Sequence, residues 1–127
     1  ICLGMQLLFE SSAENDAACL GIIPGRARRI EPAAGRPVPH MGWNTVSGRG
    51  DAPLLRGIEA HGSYAYFVHG YAVGVNEYTD GVCRYGDDFS ASVHRGNFFG
   101  TQFHPERSAQ LGARVLRNFL AMRRPCD

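Results

Sequence analysis

The stretch Ile1-Cys2-Leu3-Gly4-Met5-Gln6-Leu7-Leu8-Phe9-Glu10 constrains the chain more than any other. A cysteine two residues before a glycine, running straight into helix-compatible residues, has the form of a nucleophile elbow. In such an elbow the nucleophile sits on a sharp turn between a strand and a helix, exposed beside the helix's N-terminal amides. Those amides favour a thiolate and can donate to an oxyanion. Gly4 suits a helix start packed closely on a sheet, because it has no Cβ. A strand should precede the elbow, and the chain opens with Ile one residue before its candidate nucleophile. It is therefore expected to be a fragment of a longer protein.

The 127 residues allow one domain with a small core, and a formal net charge of +1 gives no field suited to nucleic acid or an anionic membrane. A small, roughly neutral ligand fits better. All 13 basic residues are arginine, which excludes P-loop, Schiff-base and kinase-type lysine chemistry within this stretch. Cys2, Cys19, Cys83 and Cys126 form no Cys-x-x-Cys pair and have no adjacent His-x-x-x-His, so no metal, redox dithiol or cofactor is expected. Four thiols in a reducing compartment, one of them chemical, is the simpler reading; an isolated disulfide stays open. No apolar run approaches the ~20 residues of a membrane span, and no basic segment precedes an apolar one as in a signal peptide. A cytoplasmic protein is expected.

Helix is expected from Met5 to Phe9, with residues 11–16 as its polar exit. Residues 26–39 read as irregular, with one strand around Ala27 to Ile30. Pro39-His40-Met41-Gly42-Trp43-Asn44 reads locally as a loop whose tryptophan plugs the core. Ser63 to Tyr71 is aromatic and β-branched, a strand leading into a turn at Gly70, and Gly81 to Tyr85 is a second candidate. Phe89, Ala91 and Val93 alternate with Ser90, Ser92 and His94. Arg95-Gly96-Asn97 then turns the chain into Phe98 to Phe103, which predicts a hairpin. The last helix is expected from an N-cap at Ser108 to about Arg124, with Pro125 beyond. Leu111, Val115, Leu116, Phe119 and Met122 form its apolar stripe, and Arg114, Arg117, Arg123 and Arg124 its solvated face.

Gln102-Phe103-His104-Pro105-Glu106-Arg107-Ser108 carries the second chemical signal. If His104 and Glu106 are extended, spacing of two points both side chains the same way, and Pro105 biases His104 away from helix. The carboxylate can then orient the imidazole, and Cys2 supplies the nucleophile that this pair lacks. Each signal has a plainer reading alone, a buried small cysteine or an ordinary turn. Together they are far more specific.

These two stretches, with Pro39 to Asn44 and Tyr66-Phe67-Val68-His69-Gly70-Tyr71, resemble the class I (triad-type) glutamine amidotransferases. More narrowly they resemble the branch that serves imidazole glycerol phosphate synthase in histidine biosynthesis. The resemblance implies an α/β fold of three layers around a central mixed sheet. Residues 1–127 would form a single amidotransferase domain lacking its N-terminal strands and oxyanion loop. It implies a triad of Cys2, His104 and Glu106, an oxyanion donor at the Leu3 N–H, and glutamine held by Gln6, Glu14, Gly70 and Tyr71. It also implies a heterodimer in which ammonia passes to a (β/α)8 cyclase subunit, with Met41, Trp43, Tyr66 and Arg107 towards that partner. On this reading Trp43 faces out and not into the core. Gly70 and Arg107 stand where the family commonly has serine and lysine. With one oxyanion donor outside the chain, the fragment alone is expected to have little glutaminase activity. Another triad-type amidotransferase, a γ-glutamyl hydrolase and a non-catalytic docking module remain the alternatives.

Overall fold

A computed structural model describes residues 1–59 and 63–122. The chain begins with a single helical turn, α1 (Leu3–Gln6), followed by β1 (Ser11–Ser12), a 3₁₀ turn (Glu14–Asp16), β2 (Ala17–Ala18) and β3 (Arg26–Arg29). Next come β4 (His40–Gly48), a second 3₁₀ turn (Pro53–Leu55), β5 (Ser63–His69), β6 (Tyr71–Ala72), β7 (Thr79–Tyr85), β8 (Asp87–Arg95) and β9 (Phe98–Thr101). A third 3₁₀ turn (Pro105–Arg107) leads into α2 (Ala109–Ala121). The small sheet has the order β2-β1-β3-β6 and is mixed, because β1 and β3 run parallel. The larger, β5-β4-β7-β8-β9, is antiparallel throughout. The α/β class holds, with the mixed pairing in the smaller sheet.

The apolar residues separate into two adjoining cores. Under α2, Val46, Leu54, Leu55, Phe67, Phe89, Phe103, Leu111 and Val115 pack together; under α1, Met5, Phe9, Ile23, Ala27, Val73 and Val93 do so. The β8–β9 hairpin forms as its alternation predicts. Its serine row does not face water, however: Ser90 and Ser92 are fully buried. Ser90 Oγ shares a 2.7 Å hydrogen bond with Thr79 Oγ1, while Ser92 Oγ has no partner among the described residues.

Several expectations change. Helix does not extend from Met5 to Phe9. The carbonyls of Leu7, Leu8, Phe9 and Glu10 are captured by N–H groups of residues 19–23, which takes away the acceptors that a continuing helix needs. Gly4 is not the close-packing position, since a Cβ there would meet nothing within 4 Å. The approach is made from the sheet side, where a Cβ on Gly100 would lie 2.7 Å from Met5 Cγ. Residues 40–44 are strand and not loop, and Trp43 is 54% exposed and does not plug the core. The inward row here is His40, Gly42 and Asn44, so polarity hides the period of two. In α2, Leu111 and Val115 are buried, whereas Leu116 and Phe119 are exposed. Arg114 and Arg117 face solvent. Arg123, Arg124, Pro125 and Cys126 lie outside the described residues.

Candidate active site

Cys2 occupies the head of α1 with φ 52° and ψ −112°, a conformation that residues with a Cβ rarely adopt. Its N–H donates to Thr101 O at 2.7 Å, and its carbonyl accepts the N–H groups of Met5 at 3.0 Å and Gln6 at 3.3 Å. The nucleophile candidate is thus tied to the end of β9 on one side and to the helix on the other. Around the sulfur, Sγ–H donates to Val68 O and Gln102 Nε2–H donates to Sγ, both at 3.7 Å. Burial pushes the thiol above its ordinary range, while the Leu3 N–H and the Gln102 amide oppose that rise. The resting group is a thiol already facing the donors that would stabilise its anion.

His104 is extended, φ −96° and ψ 100°, and its N–H donates to Tyr66 O at 3.0 Å. Glu106 is not extended. It lies in the 3₁₀ turn, and this turn, not a strand's period of two, brings Oε1 to 2.6 Å from His104 Nδ1. Proline at the head of the turn and the Arg107 N–H to His104 O bond (3.0 Å) fix the bend. Nδ1–H therefore donates to the carboxylate, which leaves Nε2 as the basic nitrogen. Burial pushes the Glu106 carboxyl up, but its own backbone N–H and the imidazole outweigh this and hold it below the usual range.

Ser108 precedes α2 without capping it. Its Oγ donates to His104 O at 2.6 Å and accepts the Tyr66 N–H at 2.9 Å, stapling the histidine segment to β5. Gly112 lets α2 settle on this turn, since a Cβ there would run into the Pro105 carbonyl oxygen.

Of the other expected residues, Gln6 is buried and Nε2 donates at 2.9 Å to both Tyr71 O and Gln102 Oε1. Among the described residues its Oε1 accepts no bond. Tyr71 O also accepts His69 Nδ1–H at 2.8 Å, and Gly70 O accepts the Ile30 N–H at 2.9 Å. Glu14 lies exposed on its 3₁₀ turn and makes no side-chain bond among the described residues. Met41 and Trp43 project from β4, Trp43 meets Tyr66 edge to face at 5.9 Å, and Arg107 Cζ lies 4.6 Å from the Tyr66 ring centre. These four form one row on the surface, which Tyr64 extends.

Sequence reasoning gave no role to Gln102, His40 or His69. All three are buried polar side chains in or beside the motifs, and polarity within apolar strands was the available signal. A cleft of about 640 Å³ lined by Arg28, Arg29, Arg36, Tyr85 and Asp87 lies elsewhere; its lining includes none of Cys2, His104 and Glu106.

The model of the family "Glutamine amidotransferase class-I" matches residues 1–122. The chain is 54% identical over 125 residues to the imidazole glycerol phosphate synthase subunit HisH of Xanthomonas axonopodis pv. citri, covering 98% of this chain and 62% of that relative. It is 48% identical over 126 residues to the corresponding HisH 2 of Legionella pneumophila strain Lens, covering 99% and 63%. The chain therefore spans somewhat under two thirds of the length of these relatives. A crystal structure from Thermoplasma acidophilum, named for a subunit of GMP synthase, shares the fold with a TM-score of 0.53 at 19% identity, over 65% of this chain and 43% of that one.

Proposed function

The chain belongs to the class-I glutamine amidotransferases, and from that premise we propose that it carries the glutaminase chemistry of an imidazole glycerol phosphate synthase. His104 Nε2 takes the Cys2 thiol proton as sulfur attacks the side-chain carbonyl carbon of glutamine. The Leu3 N–H receives the oxyanion, and the imidazolium returns the proton to the departing ammonia. Water, activated by the same nitrogen, then cleaves the thioester to glutamate. Glu106 orients the imidazole and stabilises its cation. Glu14 would meet the substrate's α-ammonium, Gln6 offers its Oε1, and Gly70 and Tyr71 line the segment beside them.

Ammonia would pass to a (β/α)8 cyclase subunit seated on the row of Met41, Trp43, Tyr66 and Arg107. There it would enter the reaction that yields imidazole glycerol phosphate and an aminoimidazole carboxamide ribotide. The observation that carries the reading is the strained backbone of Cys2, which holds its thiol at the head of α1 with the Gln102 amide donating to the sulfur, a cost that a merely packed cysteine has no reason to bear.

The test is ammonia release from glutamine by the full-length protein, with and without the cyclase and its nucleotide ligand. Stimulation by the loaded partner, abolished in Cys2→Ala, is expected. Glu106→Gln should lower kcat by ~10²-fold with little change in KM, because it acts on the imidazole and not on glutamine. Activity that ignores the partner would move the assignment to another triad-type amidotransferase. Activity surviving Cys2→Ala would end the triad reading.

A further inference from the structure

His40 and His69 are both buried, carry no role in the chemistry above, and lie end to end. His40 Nδ1 is 2.9 Å from His69 Nε2, and His40 is stacked between Phe67 and Tyr85, with ring centres at 4.9 and 4.1 Å. Backbone groups fix the direction of every bond in this series. At one end, Asn44 Oδ1 accepts the Thr45 N–H at 2.8 Å and Nδ2 donates to Arg84 O at 2.9 Å. The amide nitrogen must therefore be what faces His40 Nε2 at 3.2 Å, so Nε2 accepts and Nδ1 carries the hydrogen. At the other end, Tyr71 O can only accept, so His69 Nδ1 carries a hydrogen and His69 Nε2 is left to accept from His40. A second proton on either ring would set two donors against each other.

The order continues to the sulfur. Tyr71 O takes His69 Nδ1–H on one lone pair and Gln6 Nε2–H on the other. The second Gln6 hydrogen goes to Gln102 Oε1, which orients the Gln102 amide so that its Nε2–H points at Cys2 Sγ. The bonds converge on the Tyr71 carbonyl, diverge again from the Gln6 amide nitrogen, and none of them tolerates reversal.

We propose that Asn44, His40, His69, Gln6 and Gln102 form a directed hydrogen-bond relay, closed through the Tyr71 carbonyl, that makes His69 and Gln102 positioning residues for the Cys2 thiol. This deepens the glutaminase reading by naming what aims its nucleophile, and rests on Cys2 being that nucleophile. The relay starts on β4, the strand that presents Met41 and Trp43 on its other face, and ends at sulfur. Removing the His69 donor leaves the Tyr71 carbonyl held by Gln6 alone, so that it swings from its place and carries Gln6 and Gln102 with it, and the N–H aimed at sulfur is lost. A donor to a developing thiolate is a charge-assisted bond.

The experiment uses the full-length protein and two readouts that need no glutamine. Imidazole ¹⁵N NMR of the wild type should show both histidines as Nδ1–H tautomers, unchanged from pH 6 to pH 8. Alkylation of Cys2 by iodoacetamide, followed by peptide mass mapping, should slow about 10-fold in His69→Leu and in Gln102→Leu. It should recover in His69→Asn, whose amide nitrogen takes the place of Nδ1. The proposal is overturned by an Nε2–H tautomer or an imidazolium at either histidine, by wild-type alkylation in folded His69→Leu, or by His69→Asn reacting no faster than His69→Leu. The NMR assignment decides the matter even if the leucine variants do not fold. A wild type that keeps both signatures but releases no ammonia would overturn the glutaminase reading alone.

Discussion

Replacing Cys2 by glycine should make the protein more stable than replacing it by alanine, although both changes remove the thiol. At φ 52° and ψ −112°, a residue with a Cβ bears strain of about 1–3 kcal/mol, and alanine keeps that Cβ. Glycine removes it, but the freer unfolded chain gives back about 0.5–1 kcal/mol. Relief of about 2 less a loss of about 0.8 leaves about 1 kcal/mol in favour of glycine. With a urea dependence of about 2 kcal/mol per molar, the unfolding midpoint of Cys2→Gly should lie about 0.5 M above that of Cys2→Ala. A second glycine supplies the control: Ala113→Gly within α2, where the backbone is relaxed, should lower stability by about 1 kcal/mol. If Cys2→Gly unfolds at or below the midpoint of Cys2→Ala, the elbow stores no strain, and function is not what holds this conformation.

Acid should weaken the protein through the buried imidazoles. Burial, reinforced by His69, holds His40 at about 4 against the ordinary 6.5, and His69 is shifted in the same direction. The unfolded chain takes up protons that the fold refuses, so this stability is complete above about pH 6.5 and is lost as the pH falls towards 4. At 1.36 kcal/mol per unit, the difference of about 2.5 units for His40 amounts to about 2 kcal/mol by pH 5 and approaches about 3 kcal/mol near pH 4. Urea unfolding at pH 7.5 and pH 5 should show a smaller loss in His40→Gln than in wild type, and parallel losses would refute the assignment. Gly112→Ala should cost about 3 kcal/mol, because its Cβ meets a backbone carbonyl and not a yielding side chain. The same change should slow glutamine hydrolysis by displacing the turn that holds Glu106, and normal stability with normal activity would show that α2 does not brace the site.

Features resting on neighbours along the chain were legible in the sequence itself. The Cys2 elbow, the His104-Pro105-Glu106 pair, the β8–β9 hairpin and α2 each announce themselves through a few adjacent residues whose steric and periodic preferences are local. Even there the means differed: His104 and Glu106 meet through a 3₁₀ turn, and Ser108 staples β5 where a cap was expected. Tertiary structure alone decided that the helix does not run on past α1, because the carbonyls of Leu7 to Glu10 are taken by a loop nine to fifteen residues further along the chain. It also decided that residues 40–44 are strand, because their inward side chains are polar and the amphipathic signal vanishes. The order of the bonds behind Cys2 belongs to the same class. Gln6 and Gln102 are 96 residues apart and His40 and His69 are 29 apart. Which hydrogen each one offers depends on backbone groups that only the folded sheets bring together. A sequence specifies such groups by type, but a hydrogen bond has a direction, and direction is set by the position of the partner.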